Sequence, residues 1–188
     1  MRVSHVKKAQ KDQGTCGGCG KQVVKGDAYK WAKGRYGPRM VRCDSCYFRQ
    51  SDLTGSDKLS RAYAAQEDAE DRLSGWGGED AEEARTILQE LAEAVREVGE
   101  EYQESADNIM EAFPSGNSTS EECEEKASNL EDWASTCESA ADDIEDFDED
   151  SVEPEPDESK EDAIERARGE WADEARSTIE GAIGECPV

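Results

Sequence analysis

From residue 56 onward, apolar residues recur every three or four positions, the spacing that places side chains on one face of a helix. Ser56 is positioned to cap a helix running to about Ser74, with Leu59, Tyr63, Ala69 and Leu73 on its apolar side. The breaker Gly75-Trp76-Gly77-Gly78 ends it. From Asp80 to Phe113 the chain runs 34 residues without proline, about 51 Å of helix at about 1.5 Å per residue. Its apolar positions Ala84, Leu88, Leu91, Val95, Val98, Tyr102, Ala106 and Ile109 alternate spacings of mostly four and three, a coiled-coil seam. Pro114-Ser115-Gly116-Asn117 predicts a turn, and Ser118 or Ser120 can cap the next helix. There Cys123, Ala127, Leu130, Ala134, Cys137, Ala141 and Ile144 keep the same rhythm, with many small residues that imply close helix contact. An acidic, proline-containing linker at 148–158 leads to a last helix, about 159–184, presenting Ile164, Ala167, Trp171, Ala175, Thr178, Ala182 and Ile183. Three or four antiparallel helices joined by short loops satisfy this pattern.

Residues 1–56 lack the helical period. Short strand-like pieces, Lys21-Gln22-Val23-Val24 and Ala28-Tyr29-Lys30-Trp31, surround the turn Lys25-Gly26-Asp27. A second turn at Gly37-Pro38 leads into Met40-Val41-Arg42. Two cysteine pairs punctuate this region, Cys16-Gly-Gly-Cys19 and Cys43-Asp-Ser-Cys46, with 23 residues between them. A Cys-x-x-Cys turn aims both sulfurs at one ion, and two such turns complete the tetrahedral four-thiolate shell that zinc prefers. The reading is one structural zinc on Cys16, Cys19, Cys43 and Cys46 in a treble-clef or zinc-ribbon-like domain. A closed four-sulfur shell leaves no position for a catalytic water. A thioredoxin-like redox site needs a larger domain than 56 residues, and paired disulfides need an oxidising compartment. His5, the sole histidine, falls in a flexible basic start.

The expected architecture is therefore mainly α: a small basic four-cysteine domain at 1–56, followed by an acidic antiparallel helical bundle. The bundle comprises a helical hairpin region at 57–147, the linker at 148–158 and a C-terminal helix at 159–188 packing on the rest. Cys123 and Cys137 occupy equivalent seam positions 14 residues apart. At about 21 Å apart they share neither a metal nor a disulfide.

Charge sharpens the division. The formal net charge is −25, but residues 1–56 hold 12 basic and 4 acidic residues, whereas residues 57–188 hold 10 basic and 43 acidic ones. Leu, Ile, Val and Phe together number only 24 of 188 residues. A large single-core enzyme fold is not expected from so few large apolar residues. No apolar run approaches the roughly 20 residues of a membrane span, and no apolar signal segment opens the chain. A soluble intracellular protein is expected. Acidic residues forming a quarter of the chain also suit a halophilic setting, where screening at a length of about 3 Å in molar salt relieves self-repulsion.

The head interleaves cations with aromatic rings. Lys30, Trp31, Lys33, Arg35, Arg39 and Arg42 are the candidate nucleic-acid-binding residues, with Tyr36, Tyr47, Phe48 and Arg49 alongside. Lys and Arg neutralise phosphates, and aromatic faces stack on unpaired bases. The competing reading makes Tyr29, Trp31 and Phe48 a small core and lets the cations dock on acidic protein. No acid–base or nucleophilic constellation is visible, so the chain is expected not to be an enzyme.

Lys25-Gly26-Asp27-Ala28-Tyr29-Lys30-Trp31, Arg39-Met40-Val41-Arg42-Cys43, Arg49 with Ser51-Asp52-Leu53-Thr54, Glu101-Tyr102-Gln103-Glu104-Ser105-Ala106 and the ending Ala182-Ile183-Gly184-Glu185-Cys186-Pro187-Val188 resemble a family of uncharacterised zinc-finger proteins of tailed phages and archaeal, including haloarchaeal, viruses. The resemblance implies a viral protein acting in the host cytoplasm during infection or in the virion. The expected role is contact with nucleic acid or a nucleoprotein complex through the basic domain. The alternatives are an acidic DNA mimic that occupies a host nucleic-acid-binding factor, and a virion structural component.

Overall fold

The computed structural model describes residues 1–34, 37–115 and 117–188. Two compact units divide it, Met1–Ala64 and Ala65–Val188. The division falls inside a helix and not at residue 56.

In the first unit, β1 (Val3–Val6), β4 (Tyr29–Lys33) and β5 (Arg39–Cys43) form an antiparallel sheet in the order β1-β4-β5. β2 (Gly14–Thr15) and β3 (Gln22–Val23) form a separate small hairpin. The short helix α1 (Gln50–Leu53) follows β5, and α2 (Asp57–Gly75) begins in this unit. The basic start read as flexible is thus an ordered strand, with His5 opposite Lys30 and Val6 opposite Tyr29. Four residues without a flanking turn signal are too short a pattern to announce a strand. Strand alternation then sorts the side chains. Tyr29 and Trp31 face the same way as Val6, Val41 and Cys43, and pack with Ala9, Cys16 and Val23 into one small core. On the opposite face Ala32 is fully buried, and Arg42 forks onto both carboxylate oxygens of Asp52 in α1 at 2.9 and 2.8 Å.

In the second unit, the rest of α2 is followed by α3 (Ala81–Ala112), α4 (Ser118–Asp143), a single 3-10 turn (Glu149–Ser151) and α5 (Lys160–Ile183). Asp80, Asn117 and Ser159 cap the three long helices by accepting from backbone N–H groups of the first turn. Asn117 takes the role expected of Ser118 or Ser120. The Ser120 hydroxyl instead accepts from the Asn117 N–H, closing a capping box from inside the helix.

The α3–α4 seam carries Ala84, Leu88, Leu91, Val95, Val98, Tyr102 and Ala106 against Ala127, Leu130, Ala134, Cys137 and Ala141, all buried. Ile87 and Ala92 on α3 and Trp133 on α4 are buried as well. The Trp133 indole N–H reaches the Ala182 and Ile183 carbonyls at 3.0 and 3.1 Å, fixing the C-terminal end of α5 at that level. Nearer the hairpin tip, Ile109 and Cys123 are only half-buried and Phe113 is exposed. In α5 the buried row is Ala163, Ala175, Ile179, Ala182 and Ile183, so Ile164 and Thr178 fall beside the seam. Trp171, expected on the same face, is half-buried. Its ring lies between Trp76 and Phe147, each 6.0 Å away, and its N–H donates to the Glu145 carbonyl. Close approach shows where α5 passes Gly78, at which an added Cβ would stand 2.7 Å from the Ala172 Cβ.

Residues 65–188 contain 42 acidic and eight basic residues, and each of the eight holds two parts of the chain together. Arg176 donates to the Leu73 and Trp76 carbonyls at the end of α2. Arg85 binds the Ile144 carbonyl and Asp146. Arg96 joins Glu131 and Glu138 across the hairpin. Arg72 meets Glu90, Arg166 meets Glu158, Arg168 meets Glu149, Lys160 holds the Val152 carbonyl, and Lys126 lies over the Tyr102 ring.

The hydrogen bond from Arg96 holds the Glu138 carboxyl below the ordinary carboxylate range. Such a group stabilises the fold above its unfolded pKa, and the contribution disappears as pH falls through the folded value. The Glu138→Gln variant should therefore lose less of its remaining stability than wild type between pH 6 and pH 3, read from urea midpoints. Leu130→Ala, at a fully buried seam position, should cost about 2–5 kcal/mol. Because the carboxylates repel one another, the melting temperature followed by circular dichroism should rise with added salt. A melting temperature that is flat to molar salt would show that repulsion does not limit this unit.

Candidate metal centre

The first cysteine pair sits at the turn of the β2–β3 hairpin. Cys16 N–H bonds the Lys21 carbonyl at 2.8 Å and Gly20 N–H bonds the Cys16 carbonyl at 2.9 Å, closing a tight knuckle. Gly17 N–H donates to the Val41 carbonyl at 2.9 Å, docking the knuckle on β5. Gly18 has to be small, because an added Cβ would lie 3.3 Å from the Cys46 sulfur. The second pair leaves β5: Cys43 closes the strand, and Cys46 N–H turns back onto the Cys43 carbonyl at 3.2 Å.

These turns bring the sulfurs of Cys16, Cys19, Cys43 and Cys46 within 4.8 Å of one another, with Cys19 and Cys43 3.6 Å apart. A tetrahedral ion with metal–sulfur bonds of about 2.3 Å needs sulfur–sulfur edges of about 3.8 Å. The four thiols therefore fit one metal ion. All seven cysteines are free of disulfides. Backbone N–H groups of Gly18 and Cys43 point at the Cys16 sulfur at 3.4 and 3.2 Å, as donors to a thiolate should.

Hydrogen bonds lower two of the thiols and raise a third. The Ser45 hydroxyl, 3.2 Å from the Cys43 sulfur, outweighs burial and lowers that thiol to about 6. Burial pushes Cys16 up, but N–H groups from Cys43, Cys19 and Gly18 prevail and hold it below its ordinary value. Cys46, hydrogen-bonded to the Cys43 and Cys19 sulfurs, is pushed up to about 12. A bound cation would reverse that last shift, since a coordinating thiol is deprotonated outright.

Sequence reasoning missed the part played by Lys30. It is 6% exposed, and its ammonium donates to the Asp44 and Cys46 carbonyls at 2.7 and 3.0 Å. Its place in an alternating basic and aromatic run suggested a phosphate contact. The structure instead uses it to brace the second cysteine turn.

The other candidate nucleic-acid contacts divide similarly. Arg42 is paired with Asp52. Trp31 is half-buried in the core with the Arg39 guanidinium 4.5 Å from its ring, and Arg39 also donates to Tyr29 and Gln13. Lys33 is exposed. Arg35 lies outside the described residues.

A different set of cations shares a surface. Ala9 N–H bonds the Asp27 carbonyl, Gly26 N–H bonds the Ala9 carbonyl, and Lys25 N–H bonds the Asp12 carboxylate. These bonds lay the 7–12 loop against the 24–27 turn. Lys7, Lys8, Lys11 and Lys25 are exposed there and Lys21 is exposed on the first cysteine turn, and none has an ion-pair partner among the described residues. The doublet Lys7-Lys8 with Lys11 was the available sequence signal, but only the fold brings Lys25 to it.

No family model matches the chain, and neither a curated protein nor a solved structure is significantly similar to it. The likeness to viral zinc-finger proteins therefore rests on the residues quoted above alone. No helix among the described residues is long and apolar enough to cross a membrane.

Cobalt titration of the metal-free chain should saturate at one ion, with the intense thiolate charge-transfer and tetrahedral d–d absorption of a four-sulfur site. Cys16→Ser should weaken uptake by orders of magnitude and remove part of the charge-transfer band. Saturation at zero ions, or a Cys16→Ser spectrum identical to wild type, would exclude the site.

Proposed function

We propose that the first unit is a zinc-stabilised module that binds nucleic-acid backbone, carried by an acidic helical body, in a viral protein without catalytic activity. Zinc is the ion that a closed four-cysteine shell selects, and it stands in for the core that so small a domain lacks. The observation carrying the functional reading is the lysine face of Lys7, Lys8, Lys11 and Lys25. Four exposed lysines on two adjoining loops, and Lys21 beside the first cysteine turn, have no ion-pair partner among the described residues. Such a face suits phosphates, whose counterions are released on contact. The viral origin and a place in the infected cell's cytoplasm are supported by the sequence likeness alone.

A second reading is favoured by the body. With all eight of its cations engaged internally, its remaining carboxylates form a sustained negative surface of the sign a DNA backbone carries. That would suit occupation of a nucleic-acid-binding protein.

The test uses the full zinc-loaded chain and fluorescent DNA, single-stranded and duplex, in anisotropy titrations over a salt series. Binding should weaken steeply with salt. The triple variant Lys8→Gln, Lys11→Gln, Lys25→Gln should keep its zinc and flatten the single-strand salt slope by about 2. A folded, zinc-loaded wild type that binds neither DNA at low salt overturns the reading in favour of the acidic one.

A further inference from the structure

Tyr47 is 78% exposed, the most exposed of the large apolar side chains among the described residues. A tyrosine can bury roughly 150–250 Å², and this domain is short of apolar area: its buried core consists of Ala9, Cys16, Val23, Tyr29 and Cys43. Leaving such a ring in water forgoes stabilisation that the unit has few other means to obtain. Neighbouring Phe48, by contrast, is half-buried with the Arg42 guanidinium 5.2 Å from its ring.

The Tyr47 ring is nevertheless held. It follows Cys46 directly, so the metal knuckle sets its backbone. The Lys30 ammonium lies 3.8 Å from its centroid, and that ammonium is fixed by the Asp44 and Cys46 carbonyls of the same turn. A cation over a ring face is attracted by the negative face of the ring quadrupole. It occupies one face, and the exposure leaves the other open to water. A flat apolar face, pre-ordered and uncovered, has the geometry of a platform for another flat π system. Lys21 stands two residues past Cys19 and Tyr47 directly follows Cys46, so each adjoins a turn that carries two of the four sulfurs.

We infer that Tyr47 is a stacking platform for an unpaired base, so that the head's ligand is single-stranded nucleic acid. This rests on the nucleic-acid reading above and adds its substrate class. A base inside a duplex has both faces covered by its neighbours and cannot lie on the ring, whereas a single strand offers both phosphate and open base. Stacking on an aromatic side chain accepts any base, because every base has a π-face.

The experiment measures zinc-loaded full-length protein against fluorescein-labelled dT15 and a mixed-sequence 15-base-pair duplex at low salt. Tyr47→Ala should weaken dT15 binding about tenfold, leave duplex binding within twofold and keep one zinc per chain. Tyr47→Trp should restore dT15 affinity. If wild type binds dT15 and Tyr47→Ala binds it equally well, or loses both probes in equal measure, the platform is wrong while backbone binding stands. If wild type prefers the duplex, the assignment of substrate class is overturned. If wild type binds neither probe, this inference falls together with the reading on which it rests.

Discussion

Repulsion among 42 carboxylates sharing residues 65–188 with eight cations sets the terms on which the helical unit folds. Each helix must bury its apolar stripe against neighbours of the same sign. The chain answers by close approach and by placement. Ala84, Ala106, Ala127, Ala134 and Ala141 occupy the seam, so the helices meet near their backbones and a thin apolar stripe suffices. The cations then stand where one charge holds two elements. Arg176 and Arg85 close carbonyls at the ends of α2 and α4, and Arg96 spans two carboxylates of the facing helix. An exposed ion pair alone contributes little. An arginine that satisfies helix-end carbonyls as well removes an unpaired-group cost that water would otherwise have to meet.

The basic unit meets the same shortage of apolar residues differently. Its sheet and hairpin converge on four sulfurs, and Cys16 and Cys43 serve at once as core residues and as candidate ligands. Lys30 belongs to the same arrangement. Desolvating an ammonium is costly unless its donors are used, and here two carbonyls and an aromatic face receive it. One buried charge thereby joins β4 to the second cysteine turn.

Helix existence and the sulfur set were legible because they rest on local spacing: Cys-x-x-Cys pairs, four-three seams, and breakers at Gly75 and Pro114. What escaped depends on what lies opposite. A two-helix seam is readable from one helix, but the burial of Trp133 requires knowing that the end of α5 packs there. In α5, Ala163 and Ile179 take the buried places expected of Ile164 and Thr178, a choice between neighbours that periodicity cannot make. Strand β1 is identifiable only through its partner β4. The alternation of Lys30 with Tyr29 and Trp31 was visible, but the face on which the lysine lands is fixed by sheet register, and that turned an expected phosphate contact into a brace. Asn117 stood in view as a turn residue, and only the position of the first helical N–H groups made it the cap.

The use of all eight cations of the helical unit as ties has an evolutionary consequence. Most of the unit's carboxylates answer only to sign, so aspartate and glutamate can exchange freely, and many positions can drift along the exposed faces at little cost. The eight cations and the small seam residues cannot drift in this way, because each answers to one particular neighbour. Lineages descended from such a chain would diverge quickly at most positions while keeping the shape. Shared ancestry would then be recorded in a sparse skeleton of arginines, alanines and tryptophans at fixed intervals, in a background that scrambles.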